Sequence, residues 1–89
     1  MTLIEKRLAK MGIKLPSPPS PIATYVPAVR TGNLLYLSGV GPTSRPDGTI
    51  PTGKLGRDLD VAEGYEAARL TGLNILARLK NELGDLDRV

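Results

Sequence analysis

The stretch of sequence that decides the fold is YVPAVRTGNLLYLSGVGP, residues 25–42. Residues 25–30 alternate in character, and residues 34–37 form a continuous apolar run. The Thr-Gly-Asn segment between them, residues 31–33, contains residue types that tolerate the positive φ of a tight turn. The pattern predicts a β-hairpin that leads directly into a loop rich in Ser and Gly.

A long helix is predicted after the hairpin, from about Asp60 to Leu83. Asp60 and Glu63 have the spacing of a capping box, and Gly84 is a typical helix terminator. Between the hairpin and this helix, residues 43–59 are rich in Gly, Pro, Ser, Thr and Asp. They predict a loop with a turn at Pro46-Asp47-Gly48 and one short extended piece around residues 49–55.

One face of the long helix is expected to pack against the sheet, because its apolar and small residues recur at helical spacing. Charged residues, including Arg78, fall mostly on other faces. The small side chains of Ala68 and Gly72, four residues apart, predict a close approach between helix and strands. The expected packing residues are Tyr65, Ala68, Gly72, Ile75, Leu76, Leu79 and Leu83.

Two segments precede the hairpin. Residues 1–15 contain a Thr2 to Glu5 capping pair and predict a short helix over about residues 3–11. Residues 16–24 are rich in proline, which cannot continue a helix and favours an extended path, so they predict a connector that carries the first helix away from the hairpin. A binding motif for an SH3-type domain is the alternative for this segment.

Composition limits the chemistry. The 89 residues suffice for one small domain and include no Cys and no His, which excludes thiol nucleophiles, Ser-His triads and most zinc or copper sites. We therefore expect no metal and no cofactor. The 12 basic and 9 acidic residues are scattered, so nucleic-acid binding is not indicated. No apolar run reaches the ~20 residues of a membrane span, and a soluble cytoplasmic protein is expected.

The predicted elements leave a sheet that needs more strands. A lone hairpin is marginal in water, and a helix of about 23 residues spans ~35 Å, far more than two short strands cover. The strands come either from chain beyond Val89 or from other copies of this chain. Residues 84–89 have the pattern of a helix exit that enters a new strand, which favours truncation.

Several short motifs follow one another in a characteristic order over residues 21–89. They resemble the Rid or YjgF-like family, named for reactive intermediate deaminases and also called the endoribonuclease L-PSP family. The N-terminal helix and the connector are similar to those of a longer branch of this family. The matching pieces are Tyr25-Val26, Gly32-Asn33-Leu34-Leu35-Tyr36-Leu37-Ser38-Gly39, Pro42, Asn74, Leu79, Gly84, Asp87 and Val89.

The resemblance implies an α+β fold of the chorismate-mutase-like type, with a sheet covered by helices on one face. Residues 25–89 then form the first half of a Rid/YjgF-like domain. It also implies a homotrimer with ligand clefts between subunits. The implied activity is hydrolysis of reactive enamines and imines to 2-keto acids and ammonia, with a small carboxylated metabolite as ligand. From the sequence itself, no membrane partner is expected, and the scattered charge makes a nucleic-acid partner an unfavoured one.

Three residues match the family's cleft and are the candidate substrate-binding residues: Tyr25, Ser38 and Gly39. The Tyr25 and Ser38 hydroxyls can orient a ligand, and the Gly39 amide can donate to a carboxylate oxygen. Equally open are ordinary structural roles, with Tyr25 as strand surface, Ser38 as a strand-end cap and Gly39 as a turn residue.

The sequence departs from the family pattern in two respects that affect the expected activity. Val40 stands where the family commonly has Gln. The family's carboxylate-binding arginine and its acidic proton-handling residue belong to the half of the domain after Val89, so catalytic residues are unassigned and the 89 residues alone are not expected to be active. A non-catalytic trimeric binding or regulatory protein is one alternative. Another is a ribonuclease acting on single-stranded RNA, although the sequence lacks the aromatic platform that such binding uses.

Overall fold

The computed structural model describes residues 2–17, 23–45 and 47–89. They form an α+β fold with two helices and one antiparallel two-stranded sheet, which confirms the predicted class. Most of the predicted proline-rich connector, at residues 18–22, and Pro46 of the predicted turn lie outside the described residues. The elements in chain order are α1 (Leu3–Lys10), β1 (Ala28–Thr31), β2 (Leu34–Leu37), α2 (Val61–Leu83) and a short 3₁₀ helix (Leu86–Arg88).

The predicted hairpin is confirmed. Strands β1 and β2 are antiparallel, and Thr31 pairs with Leu34 across a two-residue turn. Gly32, the first turn residue, has a φ of 58°, whereas no described non-glycine residue has a positive φ. A positive φ at the first turn position alone is the pattern of a type II′ turn, which matches the twist of paired strands.

The two faces of the hairpin differ in burial. In β2, Leu35 and Leu37 are half-buried, whereas Leu34 and Tyr36 are 58% and 60% exposed. Leu35 shares a cleft with Leu79 near the end of α2. The inner face of the sheet is therefore turned toward α2, and its outer face is open to solvent.

Helix α2 begins and ends as predicted. The amide of Glu63 donates to Asp60 Oδ1 at 2.8 Å, and the amide of Asp60 donates to Glu63 Oε1 at 3.2 Å, which completes a capping box. Gly84 ends the helix with a φ of 78°, and its amide donates to the carbonyl oxygen of Lys80. A left-handed residue at this position favours glycine.

The predicted packing face of α2 is wrong in its first half. Tyr65 is 73% exposed and Ala68 is also exposed, whereas the buried residues of the helix are Asn74, Ala77 and Arg78. The loop after β2 lies over this middle part of the helix, where Asn74 donates to a backbone carbonyl of that loop. Apolar periodicity could not predict this buried part of α2, because two of its three buried side chains are polar.

The close approach predicted at Ala68 and Gly72 is also absent. A Cβ placed on Gly72 would have no other heavy atom within 4 Å, apart from its chain neighbours and its own helix backbone. The closely approached glycine of α2 is Gly64, where a Cβ would collide with the side chain of Leu55. Contact with α2 at this end thus comes from the preceding loop and not from a strand.

Helix α1 is capped by Thr2, whose Oγ1 accepts from the amide of Glu5 at 3.4 Å. The Glu5 side chain lies 3.5 Å from the ammonium group of Lys80 on α2. Asp87, in the 3₁₀ helix, accepts hydrogen bonds from the first amides of α1. The first helix is therefore docked beside the C-terminal end of α2.

Residues 49–55, predicted as an extended piece of a loop, belong to neither strand, and Leu55 makes an isolated bridge to Leu59. The segment after α2 differs from its predicted form. Residues 86–88 form the 3₁₀ helix where the start of a strand was predicted, because Asp85 Oδ1 accepts from the amide of Asp87 at 2.8 Å and caps this turn. Among the described residues, no helix is long and apolar enough to cross a membrane.

Candidate functional site

A cavity of about 310 Å³ lies between the loop after β2 and the middle of α2. Two of the three predicted site residues, Tyr25 and Gly39, line it. Helix α2 contributes Asn74 and Arg78 to the same wall. The cavity thus brings together the segment before the hairpin, the segment after it and the long helix.

Tyr25 and Gly39 reach the cavity from segments without regular structure. Tyr25 lies just before β1, is 42% exposed, and its amide donates to the carbonyl oxygen of Ala23 at 2.9 Å. Gly39 follows β2, and a Cβ at this position would have no other heavy atom within 4 Å beyond its chain neighbours. Tyr25 is therefore partly exposed at the cavity, and the backbone of Gly39 is not crowded by other described residues.

Ser38 is not among the residues that line this cavity. Its Oγ donates to the carbonyl oxygen of Pro27 at 3.2 Å, and its amide donates to the same oxygen at 3.1 Å. This is the geometry of the strand-end cap considered as the structural alternative. Its hydroxyl oxygen retains acceptor capacity, and the binding role of Ser38 stays a prediction.

Asn74 is a buried polar residue at the floor of the cavity, with only 3% of its surface exposed. Its Nδ2 donates to the carbonyl oxygen of Gly41 at 3.0 Å, which ties the loop to the helix. Its Oδ1 is buried and accepts no hydrogen bond from the described part of the chain. A buried amide oxygen without a donor is uncommon and costly.

Arg78 lies one helical turn after Asn74 and is 4% exposed. Sequence reasoning placed it among the charged residues of the solvent face and did not select it for the site. The spacing of four residues between Asn74 and Arg78, which puts both on one face of a helix, was the available signal. Burial of a charged group costs free energy. The burial of Arg78 in the wall of the cavity therefore makes this residue a candidate for a role in the site.

The charged side chains that line the cavity are basic only, among the described residues. Arg78 supplies a cation, and none of the described residues that line the cavity is acidic. Hydroxyl groups of Tyr25, Thr43 and Ser44 complete a polar rim. The described lining therefore combines one basic side chain with several hydroxyl groups.

The carboxyl groups with shifted pKa values lie elsewhere. The hydrogen bond from Arg57 and that from the Lys54 amide hold the pKa of Asp58 below its usual 3.8. The hydrogen bonds from the Thr49 hydroxyl and amide lower the pKa of Asp47 in the same way. Both carboxylates belong to the loop before α2 and stabilise its turns.

Comparison with known proteins gives consistent results. A family model described as "YjgF/chorismate_mutase-like, putative endoribonuclease" matches residues 5–89. The protein TCP17 of Trypanosoma cruzi is 41% identical over 86 residues, which cover 97% of this chain and 53% of TCP17.

Two solved structures share both fold and sequence similarity. One, from Shewanella oneidensis MR-1 and described as a "putative endoribonuclease", is 39% identical with a TM-score of 0.86, and the match covers 94% of this chain and 55% of that one. The other, Atu1372 from Agrobacterium tumefaciens, is described as a protein "with unknown function". It is 45% identical with a TM-score of 0.72 over 94% of this chain and 49% of its own. The chain thus spans about half the length of these relatives.

Proposed function

The chain belongs to the YjgF/chorismate-mutase-like family, and on that premise we propose that the protein hydrolyses small enamines and imines that carry a carboxylate, releasing 2-keto acids and ammonia. The proposal concerns the protein at the length of its relatives, acting as a cytoplasmic homotrimer. The observation that carries it is the small cavity that joins Tyr25 and Gly39 to the buried cation of Arg78.

The reaction needs little covalent machinery. The enamine first tautomerises to the imine, whose carbon is electrophilic. Water adds to that carbon, the carbon–nitrogen bond then breaks, and ammonia leaves as the carbonyl forms. Orientation of the imine and one water molecule by fixed donors and acceptors supplies much of the acceleration. Neither a thiol nor an imidazole is required, in agreement with a chain that contains no Cys and no His.

The size of the cavity is sufficient for a small metabolite. Its volume of about 310 Å³ is at the low end of ligand pockets, which span roughly 300–1,000 Å³. A substrate such as 2-aminoacrylate places one carboxylate, one nitrogen and one reacting carbon within a few bonds of each other. The hydroxyl groups and the basic side chain in the lining of the cavity support a small polar anion as the ligand.

An imine-hydrolysis assay tests the proposal. An amino-acid oxidase generates a 2-imino acid in solution, and semicarbazide traps the imine that remains. Active protein is expected to lower the rate of semicarbazone formation and to raise the rate of ammonia release. Equal rates with native and heat-inactivated protein would remove the enzymatic proposal and leave a protein that binds its ligand without turnover.

A ribonuclease is the second candidate, and it is favoured by the descriptions of the matching family and of the Shewanella structure, both of which name an endoribonuclease. The test is incubation with a 5′-labelled single-stranded RNA, with products separated by gel electrophoresis. Cleavage that survives repeated purification and is lost in an Arg78→Gln variant would support this function. Cleavage that is unchanged in the variant would indicate a contaminating nuclease.

A further inference from the structure

We propose that the N-terminal segment, residues 2–17, closes one side of the cavity through Ser17, and that the docking of α1 beside α2 thereby limits the size of the ligand that the cavity accepts. The inference deepens the proposed function and rests on it for the class of ligand. It assigns a role at the site to a part of the chain in which the sequence analysis selected no site residue.

Ser17 borders two cavities. It lines the cavity of the candidate site together with Tyr25 and Gly39. It also lines a second cavity, of about 400 Å³, between the N-terminal segment and the C-terminal part of α2, where Ala77 and Lys80 contribute to the wall. A residue in the lining of both cavities lies between them. Ser17 is therefore part of a partition that separates the candidate site from the second cavity.

Packing on α2 positions this partition. Leu15 and Pro16, directly before Ser17, are half-buried, whereas Ser17 itself is exposed. Both of these apolar residues line the second cavity, on the side opposite Ala77 of α2. Removal of apolar surface from water stabilises their position beside the helix. The place of Ser17 is thus set by the residues before it and not by contacts of its own side chain.

Helix α1 carries the partition. The turn after α1 is tied to the helix, since the amide of Ile13 donates to the carbonyl oxygen of Leu8 at 2.9 Å. The helix is held in turn by the Asp87 carboxylate at its first amides and by the ion pair of Glu5 with Lys80 at 3.5 Å. Loss of these contacts therefore releases the partition together with α1.

The docked segment restricts the volume open to a ligand. With the partition in place, the candidate site has about 310 Å³, at the low end of roughly 300–1,000 Å³ for ligand pockets. Without it, the site and the second cavity become continuous, and a ligand with a bulkier side chain can be accommodated. The partition therefore favours 2-imino acids with short side chains over those with long or aromatic ones.

Reversible labelling tests whether Ser17 borders the site. The chain contains no Cys, so an introduced cysteine is the sole target of a bulky methanethiosulfonate reagent. Labelling of Ser17→Cys is expected to slow imine hydrolysis at least about tenfold, and a reductant is expected to restore the rate. Lys14→Cys, at an exposed residue of the same segment that is not among those lining the site, is the matched control. Equal inhibition at both positions of an active protein would contradict the inference.

A spin label at Ser17→Cys tests the docking without any reaction. The label is expected to broaden the NMR signals of the Gly39 and Gly41 amides, because both residues line the same cavity. Asp87→Ala, added to the labelled protein, is expected to remove most of this broadening. Glu82→Ala, which removes an exposed acid of α2, is expected to retain it. Broadening that is absent, or that is equal in the two variants, would overturn the inference.

Two substrates of different size test the limit on the ligand. The amino-acid oxidase supplies the imines of alanine and of phenylalanine, and Asp87→Ala is expected to raise the relative rate with the phenylalanine-derived imine about tenfold. If Asp87→Ala does not fold, Ser17→Phe, which enlarges the partition, is expected to shift the ratio in the opposite direction. Ser17→Ala, which keeps the partition small, is the control and is expected to leave the ratio unchanged.

The outcomes are distinguishable from failure of the proposed function. The expected broadening without hydrolysis of either imine would support the partition and remove the reaction. Hydrolysis with the same ratio of rates in Asp87→Ala and Glu82→Ala would leave the reaction and remove the role of the N-terminal segment.

Discussion

Asp87 Oδ1 accepts a hydrogen bond of 2.9 Å from the backbone amide of Ile4, which lies 83 residues earlier in the chain. The second carboxylate oxygen of Asp87 accepts from the amide of Leu3 at 3.0 Å. The first amides of a helix have no partner within the helix, and a negative charge at this end is favoured by the helix dipole. Asp87 therefore acts as a cap supplied from the opposite part of the chain.

Replacement of this cap is expected to release α1. Asp87→Ala removes both acceptors and the charge, and a loss of about 1 kcal/mol in the free energy of unfolding follows from the usual value of a helix cap. Hydrogen exchange of the amides in residues 3–10 is expected to accelerate. Glu82→Ala, which removes an exposed acid from α2, is the control. Equal effects of the two changes would show that the contact does not hold α1 in place.

Gly72→Ala is expected to stabilise the protein by about 0.5–1 kcal/mol, because the new methyl group meets open space and the helix gains the higher propensity of alanine. Gly64→Ala is expected to gain less, since its methyl group must displace the end of the Leu55 side chain. Urea unfolding of both variants measures the difference. Destabilisation by Gly72→Ala would mean that a further element packs on this side of α2.

Tyr25→Phe is expected to raise KM or lower kcat in the imine-hydrolysis assay and to leave stability within about 0.5 kcal/mol. The hydroxyl sits on a partly exposed ring at the cavity wall, so its loss removes a ligand contact and no core packing. Tyr36→Phe, on the exposed outer face of β2, provides the matched control. Identical kinetics in the two variants would exclude a binding role for the Tyr25 hydroxyl.

Ser38→Ala is expected to lower the free energy of unfolding by about 1 kcal/mol, because the Pro27 carbonyl oxygen loses one of its two donors. Thermal or urea unfolding measures this cost. The KM of the same variant tests whether Ser38 also binds the ligand. A KM that changes well beyond that of Tyr36→Phe would assign Ser38 to ligand binding, and an unchanged KM would leave it as the strand-end cap.

The Asp58 carboxylate is expected to titrate below its usual pKa of 3.8, since Arg57 and the Lys54 amide donate to its Oδ2. A lowered pKa in the folded state means that this contribution to stability is present above pH 3.8 and is lost as the pH falls through the lower folded value. A ¹³C NMR titration of the side-chain carboxyl measures the midpoint. Arg57→Gln is expected to raise it, and a midpoint at or above 3.8 in the unaltered protein would contradict the assignment.

The hairpin and the bounds of α2 were predictable because their signals are local. Gly32 at a turn, Asp60 with Glu63 at a helix start and Gly84 at its end each act within a few residues. The family resemblance likewise rested on short motifs in order. Such features depend on backbone conformations that few residue types adopt easily.

The buried wall of the cavity was not predictable in this way. Arg78 is polar, and periodicity assigns polar residues to solvent, whereas its burial depends on a loop that crosses the helix more than thirty residues away in sequence. The cap that Asp87 provides for α1 was equally unpredictable from the sequence. Both are long-range contacts of polar groups, for which a single sequence carries no periodic signal.

The Asp87 contact also sets an order of events during synthesis. The ribosome makes α1 before the residue that caps it, because Asp87 is added 83 residues after Ile4. At about 5–20 residues per second, this interval is roughly 4–17 s. A helix of eight residues is marginal by itself in water, so α1 waits unfolded through that time and docks after α2 has formed. Helix α1 is thus translated before α2 but joins the folded protein after it.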